Sequence, residues 1–533
     1  MPQATHRTCT TQRLFRAPRP LLTPLMLAAL GLAGVARADD GKVPGVPELL
    51  ERIEKLEASN RALAGEVQTL RESEGDGWLN EARAAEIRGI VSDVLADSDV
   101  RNSLQSTPMT AGWNDGFFLQ SNDGRFRLQA QGLIQSRYIF STIQNGESGV
   151  TVPSSYVADN VENRSGFDLP NTQLELDGNA FGPQFQYKVR GAFSSNSEAN
   201  IGQYPISNLG SGSGEFQLID AYVRAELSDD VAVRVGQFKL PFAREQLVDA
   251  KYQLGVARST IVEHLGVGIS QGVELAWISS DTRFMVAYSN GGDDNVYGIL
   301  KGAGTEPVNS AWDNDSVDWA VTTRFEWKLA GQWRQFNSMT SPPGDEYALL
   351  IGLAGNFQEG DPNAGNTEVT TEPNTWLAGT ADVSFMYGGA TIFGSVTYSY
   401  MDSGSAYLEG SNGFNPAEFF DMGVSHSWGA VLQASYYFDP KWEMFGRFEY
   451  GTADIPDIDN GPTGTSSLWN SNALQIATVG VNWYIDGEDL KWSSDFGIAF
   501  DAVDGIWYNG ENGWRAAAEE SEIVFRTMLQ MAF

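Results

Sequence analysis

The stretch Ser521-Glu-Ile-Val-Phe-Arg-Thr-Met-Leu-Gln-Met-Ala-Phe533 changes character at nearly every residue. In an extended strand, successive side chains point to opposite faces. Ile523, Phe525, Thr527, Leu529, Met531 and Phe533 then share one face, and Val524, Arg526, Met528, Gln530 and Ala532 share the other. The first face suits lipid and the second suits water or a lumen. A strand of this kind that ends on an aromatic fits the closing strand of a transmembrane β-barrel. An edge strand of a soluble sandwich is the competing reading, and repetition of the pattern decides between them.

The pattern repeats. Phe126, Leu128, Ala130, Gly132, Ile134 and Tyr138 oppose Arg125, Arg127, Gln129, Gln131, Gln135 and Arg137. Phe185, Tyr187, Val189, Gly191 and Phe193 oppose Gln186, Lys188 and Arg190, and Val317 to Leu329 oppose Asp318, Thr322, Arg324, Glu326 and Lys328. Segments of this kind start near residues 125, 171, 184, 216, 231, 271, 282, 317, 346, 376, 390, 428, 442, 474, 490 and 521, about 16 in all. Their connections alternate. Gly182-Pro183, Ser228-Asp-Asp230, Gly388-Gly389, Asp439-Pro440 and Asp486-Gly-Glu488 are tight, whereas 141–170, 195–215, 240–270, 290–316, 358–375, 402–427, 452–473 and 502–520 are long. Short turns on one rim and long loops on the other are the habit of outer-membrane barrels. The expected fold is therefore all-β, a transmembrane antiparallel barrel of about 16 strands over residues 111–533.

Composition agrees. The chain has 533 residues, 57 glycines, 11% aromatics and only 19% charged residues. Past the N-terminus it has no run of roughly 20 apolar residues, which a spanning helix needs. Arg7, Arg13, Arg16 and Arg19 precede an apolar run from Leu21 to Val35 and then Ala36-Arg-Ala38. Residues 1–38 therefore read as a secretory signal peptide, with a single membrane anchor as the alternative. Removing them takes away five arginines, no acid and the only cysteine, Cys9, and moves the formal charge from −33 to −38. So acidic a chain argues against nucleic acid as a partner.

Residues 39–110 differ in kind and read as a periplasmic helical extension. Leu49, Ile53, Leu56, Asn60, Leu63, Val67 and Leu70 fit the seam of a short coiled coil over 46–72, with Asn60 as a register-setting residue. A lone amphipathic helix is the plainer reading. A second helix is expected from Asn80 to about Leu104.

One block resembles a known family. Phe216-Gln-Leu-Ile-Asp-Ala-Tyr-Val-Arg224 with Val233-Arg-Val-Gly-Gln-Phe-Lys-Leu-Pro-Phe-Ala-Arg-Glu245 resembles the phosphate-selective porin O and P family. Gly124 to Gly132, Ile269 to Leu275 and Ala287 to Gly291 look like its flanking blocks. The resemblance implies a trimer of sixteen-stranded barrels, a loop folded inward to narrow the pore, and a pore lined by arginines and lysines in anion-selective members. Leu169-Pro-Asn-Thr-Gln-Leu-Glu-Leu176 departs from the family, which carries a basic run there.

The same resemblance makes Lys239, Arg244, Lys251 and Arg258 constriction candidates, with Arg224 and Arg234 facing the lumen beside them. By strand face, Arg125, Arg127, Arg137, Lys188, Arg190, Arg224, Arg234, Arg324, Lys328, Arg447, Lys491 and Arg526 point inward. Glu175, Asp177, Asp220, Glu226, Glu274, Glu326, Asp382, Glu443, Glu449 and Asp495 do so as well, nearly balancing them. The plain reading of each is a wall charge paired across strands. Loop acids at Asp293-Asp294, Asp313, Asp315, Asp454, Asp457 and Asp459 do not match a calcium loop, and turns favour such residues anyway. His264 and His426, both expected in loops, have no nucleophile motif beside them, so no enzyme, cofactor or metal site is expected.

The function these features point to is passive diffusion of small hydrophilic solutes and inorganic ions across the bacterial outer membrane. The expected partners are membrane lipid and two further copies of the chain. A structural tether, reaching the cell wall through 46–72 with conduction secondary, is the alternative.

Overall fold

The computed structural model describes residues 109–143, 163–193, 216–292, 317–360, 375–402, 405–407, 419–421, 424–454, 473–503, 507, 509–515 and 521–533, together with six helical positions near residue 60. The chain divides into two compact units, Met1–Leu104 and Gln105–Phe533. In the first, Glu54, Lys55, Ala58, Arg61, Ala62 and Gly65 are helical and exposed. The predicted seam residues, the predicted helix over 80–104 and the loop acids other than Asp454 lie outside the described residues.

The second unit opens with a hairpin, β1 (Met109–Trp113) and β2 (Phe117–Ser121). The barrel follows as β3 (Arg127–Ile143), β4 (Asn163–Asp168), β5 (Thr172–Asn179), β6 (Phe185–Ala192), β7 (Gln217–Glu226), β8 (Val231–Lys239), β9 (Ile269–Ile278), β10 (Thr282–Ser289) and β11 (Val317–Ala330). It continues with β12 (Ala348–Gly360), β13 (Thr375–Tyr387) and β14 (Ala390–Asp402). A small hairpin, β15 (Ser405–Tyr407) and β16 (Phe419–Asp421), interrupts before β17 (Val424–Asp439), β18 (Trp442–Asp454), β19 (Leu474–Asp486), β20 (Leu490–Ala499) and β21 (Glu522–Ala532). Each barrel strand pairs antiparallel with its neighbours, and β21 pairs with β3 to close the sheet. With β4 and β5 both lying along one edge of β3, sixteen wall positions close the barrel among the described residues. The strands begin within a few residues of the expected starts.

The seam has its own device. Phe533 and Gly132 exchange both backbone hydrogen bonds, at 2.6 and 2.9 Å. A Cβ on Gly132 would lie 2.6 Å from the Phe533 ring, so the terminal aromatic lies directly over the glycine. Beyond that point β2 takes over the same edge of β3, pairing Phe117 with Ala130 and Gln120 with Arg127.

Alternation of burial follows alternation of sequence. On β21, Val524, Arg526, Met528 and Gln530 are buried, while Phe525, Leu529, Met531 and Phe533 are exposed. The same inside-out order runs through β13, β17 and β18. The outer face is a band of exposed Phe, Leu, Val, Trp and Tyr. Trp442 and Trp483 stack on it with ring centroids 5.4 Å apart. Closure of the sheet removes the open strand edge that would otherwise face lipid. No described helix is long and apolar enough to cross a membrane.

The lumen contains the hydrophobic core. The connection from Leu240 to Gly268 folds inward and carries two short helices, α1 (Arg244–Leu247) and α2 (Thr260–Leu265). Leu240, Phe242, Ile261, Leu265 and Val267 pack on wall residues Trp376, Met401 and Ile476, and on Trp507 and Trp514 of the last long connection. Glycines seat them. A Cβ at Gly429 or Gly451 would fall 2.5 or 2.8 Å from Ile261 Cδ1.

One connection departs from the expected alternation. Residues 331–347 lie on the short-turn rim but are long, contain a 3-10 turn (Trp333–Asn337) and fold inward beneath the plug. Buried Phe336 and Met339 hold them there. Of the two histidines, His264 sits in α2, within the long inward connection as expected, whereas His426 lies in β17 rather than in the loop before it.

Candidate pore interior and its charged residues

A loop inside a barrel carries backbone N–H and C=O groups that no strand satisfies. Here wall side chains do so. Asn482 donates to Leu254 O at 2.9 Å, Lys491 to Gln253 O at 3.1 Å, Gln530 to Lys251 O at 3.1 Å, and Arg447 to Ala257 O at 2.8 Å. Asp495 accepts from Val256 N at 3.1 Å, and Glu449 from Thr260 N at 2.6 Å. Inside the plug, Glu245 accepts from Ser259 N and Oγ, while Ser259 Oγ caps α2 by accepting from Val262 N. The polar lumen side of β18 to β21 is therefore a mould for the plug backbone.

Many of the inward charges are also paired with one another. Arg526 meets Asp495 at 2.7 Å, Arg137 meets Asp168 at 2.5 Å, and Lys188 meets Glu175 at 2.6 Å. Arg190 meets Asp220 at 2.6 Å, and Lys491 meets Glu488 at 2.7 Å. Arg324 reaches past its neighbouring strand. It crosses β12 at Gly352, holds Asp382 of β13 through two bonds of 2.8 and 3.1 Å, and donates to Phe242 O of the plug at 2.7 Å. Arg127, half-buried, donates to Gln129 at 2.6 Å. Arg125, expected on the strand face, instead lies exposed in the β2–β3 turn, where its backbone N–H donates to Asp123.

The predicted constriction residues separate into two groups. Lys239 and Arg190 both meet Asp249 Oδ1, at 3.0 and 2.8 Å. Those cations hold the Asp249 carboxyl well below its usual range, against a burial that alone would raise it. Arg244 is buried and donates to Ser384 Oγ, Phe336 O and Ser338 O. Its burial pulls the guanidinium down to about 10, so it stays cationic at neutral pH. Arg258 donates to Glu245 O and Val248 O. Lys251 pairs with Asp489 at 2.5 Å. Lys239, Arg244 and Arg258 thus hold the plug together and present almost no surface.

Arg224 and Arg234 stand elsewhere, in the part of the lumen that opens to the short-turn rim. They are directly opposed across β7 and β8, and their side chains are 28% and 20% exposed. Arg224 bonds Gln186 at 2.9 Å and reaches Glu226 at 3.3 Å. Arg234 meets Glu274 at 2.6 Å and lies over the Phe238 ring, 4.1 Å from its centroid. Arg283 on β10, which the sequence reading passed over, is exposed to the same extent as Arg224. It stacks on Trp333 at 3.8 Å and reaches Glu326 only at 3.8 Å. The Nε atoms of Arg234 and Arg283 are buried without a hydrogen-bond partner among the described residues. Arg283 alternates correctly on β10; what marks it out is Trp333, brought against it by the 331–347 connection.

At the opposite end, α2 meets the last long connection. Glu263 accepts from Asn509 and Asn512, and Arg137 donates to Asn512 Oδ1 at 2.7 Å and to Glu511 O at 2.9 Å. Burial pushes the Glu263 carboxyl up to about 7, with the Asn509 hydrogen bond opposing. Burial, reinforced by the charge of Glu263, pushes Glu511 up to about 8.

Together these features define a class: a closed antiparallel barrel, apolar outside, whose lumen is narrowed by its own inward connection. The family model for phosphate-selective porins O and P matches residues 149–303 of the chain. Among solved structures, the chain is similar to a loop-deletion form of OmpT, an outer-membrane protein of Vibrio cholerae, at 10% identity and TM-score 0.44, covering 77% of this chain and 100% of that one. It is also similar to the outer-membrane channel DcaP of Acinetobacter baumannii, at 12% identity and TM-score 0.44 over 78% and 99% of the two chains. A third similar structure is OprB of Pseudomonas putida, at 10% identity and TM-score 0.44 over 76% and 94%. No curated protein sequence matches the chain.

Proposed function

We propose that this protein is a passive channel of the bacterial outer membrane for small hydrophilic solutes and ions, with a weak preference for anions set by Arg224, Arg234 and Arg283. The apolar outer face, the closed sheet and the family match over residues 149–303 support the channel reading. No energy source or chemical step enters. One observation carries the anion preference: Arg224 stands directly opposite Arg234. Like charges directly opposed destabilise a sheet. Here each guanidinium is paired with an acid yet keeps part of its surface open to the lumen, where a passing anion can accept from it.

This reading moves selectivity away from the plug cations. Lys239, Arg244 and Arg258 spend their hydrogen bonds on structure. Rings of partly desolvated charge set pore preference, whereas loop charges are screened over about 8 Å at physiological salt. The weak anion preference is therefore expected in molar KCl and drifts toward cations as salt is lowered, because the acidic excess then acts from the mouths. The test is the reversal potential of the purified pore across a KCl gradient. Arg224→Gln with Arg234→Gln should abolish the high-salt preference, while Lys239→Gln with Arg244→Gln should loosen the plug and raise conductance. Firm cation selectivity at high salt, unmoved by the first pair, would sink this assignment.

A further inference from the structure

A cavity of about 170 Å³ opens at the short-turn rim, between β3, β5, the plug turn at Ala250–Tyr252 and the β1–β2 hairpin. Its charged lining is Glu175, Arg190, Asp249, Lys251 and Asp489, with Asp115 on the exposed hairpin turn. The first five are already matched. Arg190 bonds Asp249 at 2.8 Å, Lys251 bonds Asp489 at 2.5 Å, and Glu175 bonds Lys188 of the neighbouring strand β6 at 2.6 Å. An ionic ligand entering here must break one of these pairs or stay uncompensated in a partly dehydrated site, and either is costly.

A neutral ligand rich in hydroxyls has no such cost. A carboxylate bonded to cations through one oxygen, as Asp249 and Asp489 are, retains acceptor positions on the other, and an ammonium has three donors, so hydroxyls can bridge a pair without separating it. Asp249 and Asp489 keep 40% and 51% of their side-chain surface, which leaves room for that second partner. The Tyr252 and Trp113 rings add flat apolar faces with polar edges. Such a lining is complementary to a ring compound with hydroxyls around its edge and C–H groups on its faces.

We infer that this cavity is a binding site for neutral polyhydroxylated solutes of monosaccharide size, lying at the mouth of the lumen and distinct from the three arginines. The inference goes beyond the channel reading and does not depend on its anion preference. Calorimetric titration of the detergent-solubilised full chain with glucose tests it. Saturable binding is expected, weakened about fivefold or more by Asp489→Asn and by Trp113→Ala, each of which removes a contact worth about 1 kcal/mol. Both positions are exposed, so the fold should tolerate either change. Glucose 6-phosphate should bind no more tightly than glucose. Absence of saturable glucose binding, tighter binding of the phosphate, or indifference to both substitutions would each overturn the proposal. Conductance in plain KCl on the same preparation tests the channel separately, and glucose binding by a non-conducting preparation would still support the site.

Discussion

Gly352→Ala should be among the most damaging single-methyl changes in this wall. The glycine lies on β12, directly opposite Glu326 on one side and Asp382 on the other. Arg324 passes over it to reach Asp382, and the pair is fully buried. A Cβ at residue 352 would fall 2.6 and 2.7 Å from the two Asp382 oxygens and would also clash with Arg324 Nη2. Its backbone is not left-handed, so alanine adds contact without backbone strain. Those oxygens cannot retreat while both guanidinium bonds last. Separating a buried pair typically costs about 3–5 kcal/mol, because a charge is left unmatched. Arg324 would also release Phe242 O, so the plug should loosen together with the wall. The measurement is the guanidinium chloride midpoint in detergent, beside the current noise of single pores. Gly355→Ala is the control on the same strand, since its Cβ meets nothing nearer than 3.8 Å. In an Arg324→Met, Asp382→Leu background the cost of Gly352→Ala should fall below about 1 kcal/mol. An unchanged midpoint for Gly352→Ala, or an equal loss in both backgrounds, would refute the reasoning.

Two further outcomes concern the plug. Because the folded carboxyls of Glu263 and Glu511 titrate near 7 and 8, above their ordinary value, the fold binds more protons there than the unfolded chain does. Stability of the contact between α2 and the 509–515 connection is then complete below the ordinary carboxyl value and falls as pH rises through 7 to 8. Relative to the intrinsic base-catalysed rate, the hydrogen-exchange protection of residues 509–515 should be lower at pH 9 than at pH 6, and Glu263→Gln with Glu511→Gln should flatten that dependence; equal protection at both pH values would count against it. Gly429→Val should unseat Ile261, whose Cδ1 occupies the space a Cβ needs. That change should alter single-pore conductance with the barrel still folded on unheated gels, whereas unaltered conductance would mean the socket is slack.

The barrel was legible in the sequence because its physics is local. A strand with lipid on one side and a polar lumen on the other must alternate at every residue, and β21 does so without reference to anything distant in the chain. Turn residues and connection lengths then order the strands around the wall. The interior was not legible in the same way. Which cation meets which acid depends on register, and Arg324 meets Asp382 two strands away only because Gly352 lies between them. Arg224 and Arg234 face the lumen by alternation, yet only the β7–β8 pairing sets them against each other. Lys239 and Arg244 look like pore-lining charges from the family resemblance and their place beside and in the long connection. Their burial follows from the plug's need to satisfy its own backbone and from the 331–347 connection folding up to meet it. The sequence by itself determined the wall and its two faces, since periodicity is a property of neighbours. Tertiary structure alone decided what fills the lumen, because a hydrogen bond in an enclosed space depends on groups brought together from hundreds of residues apart.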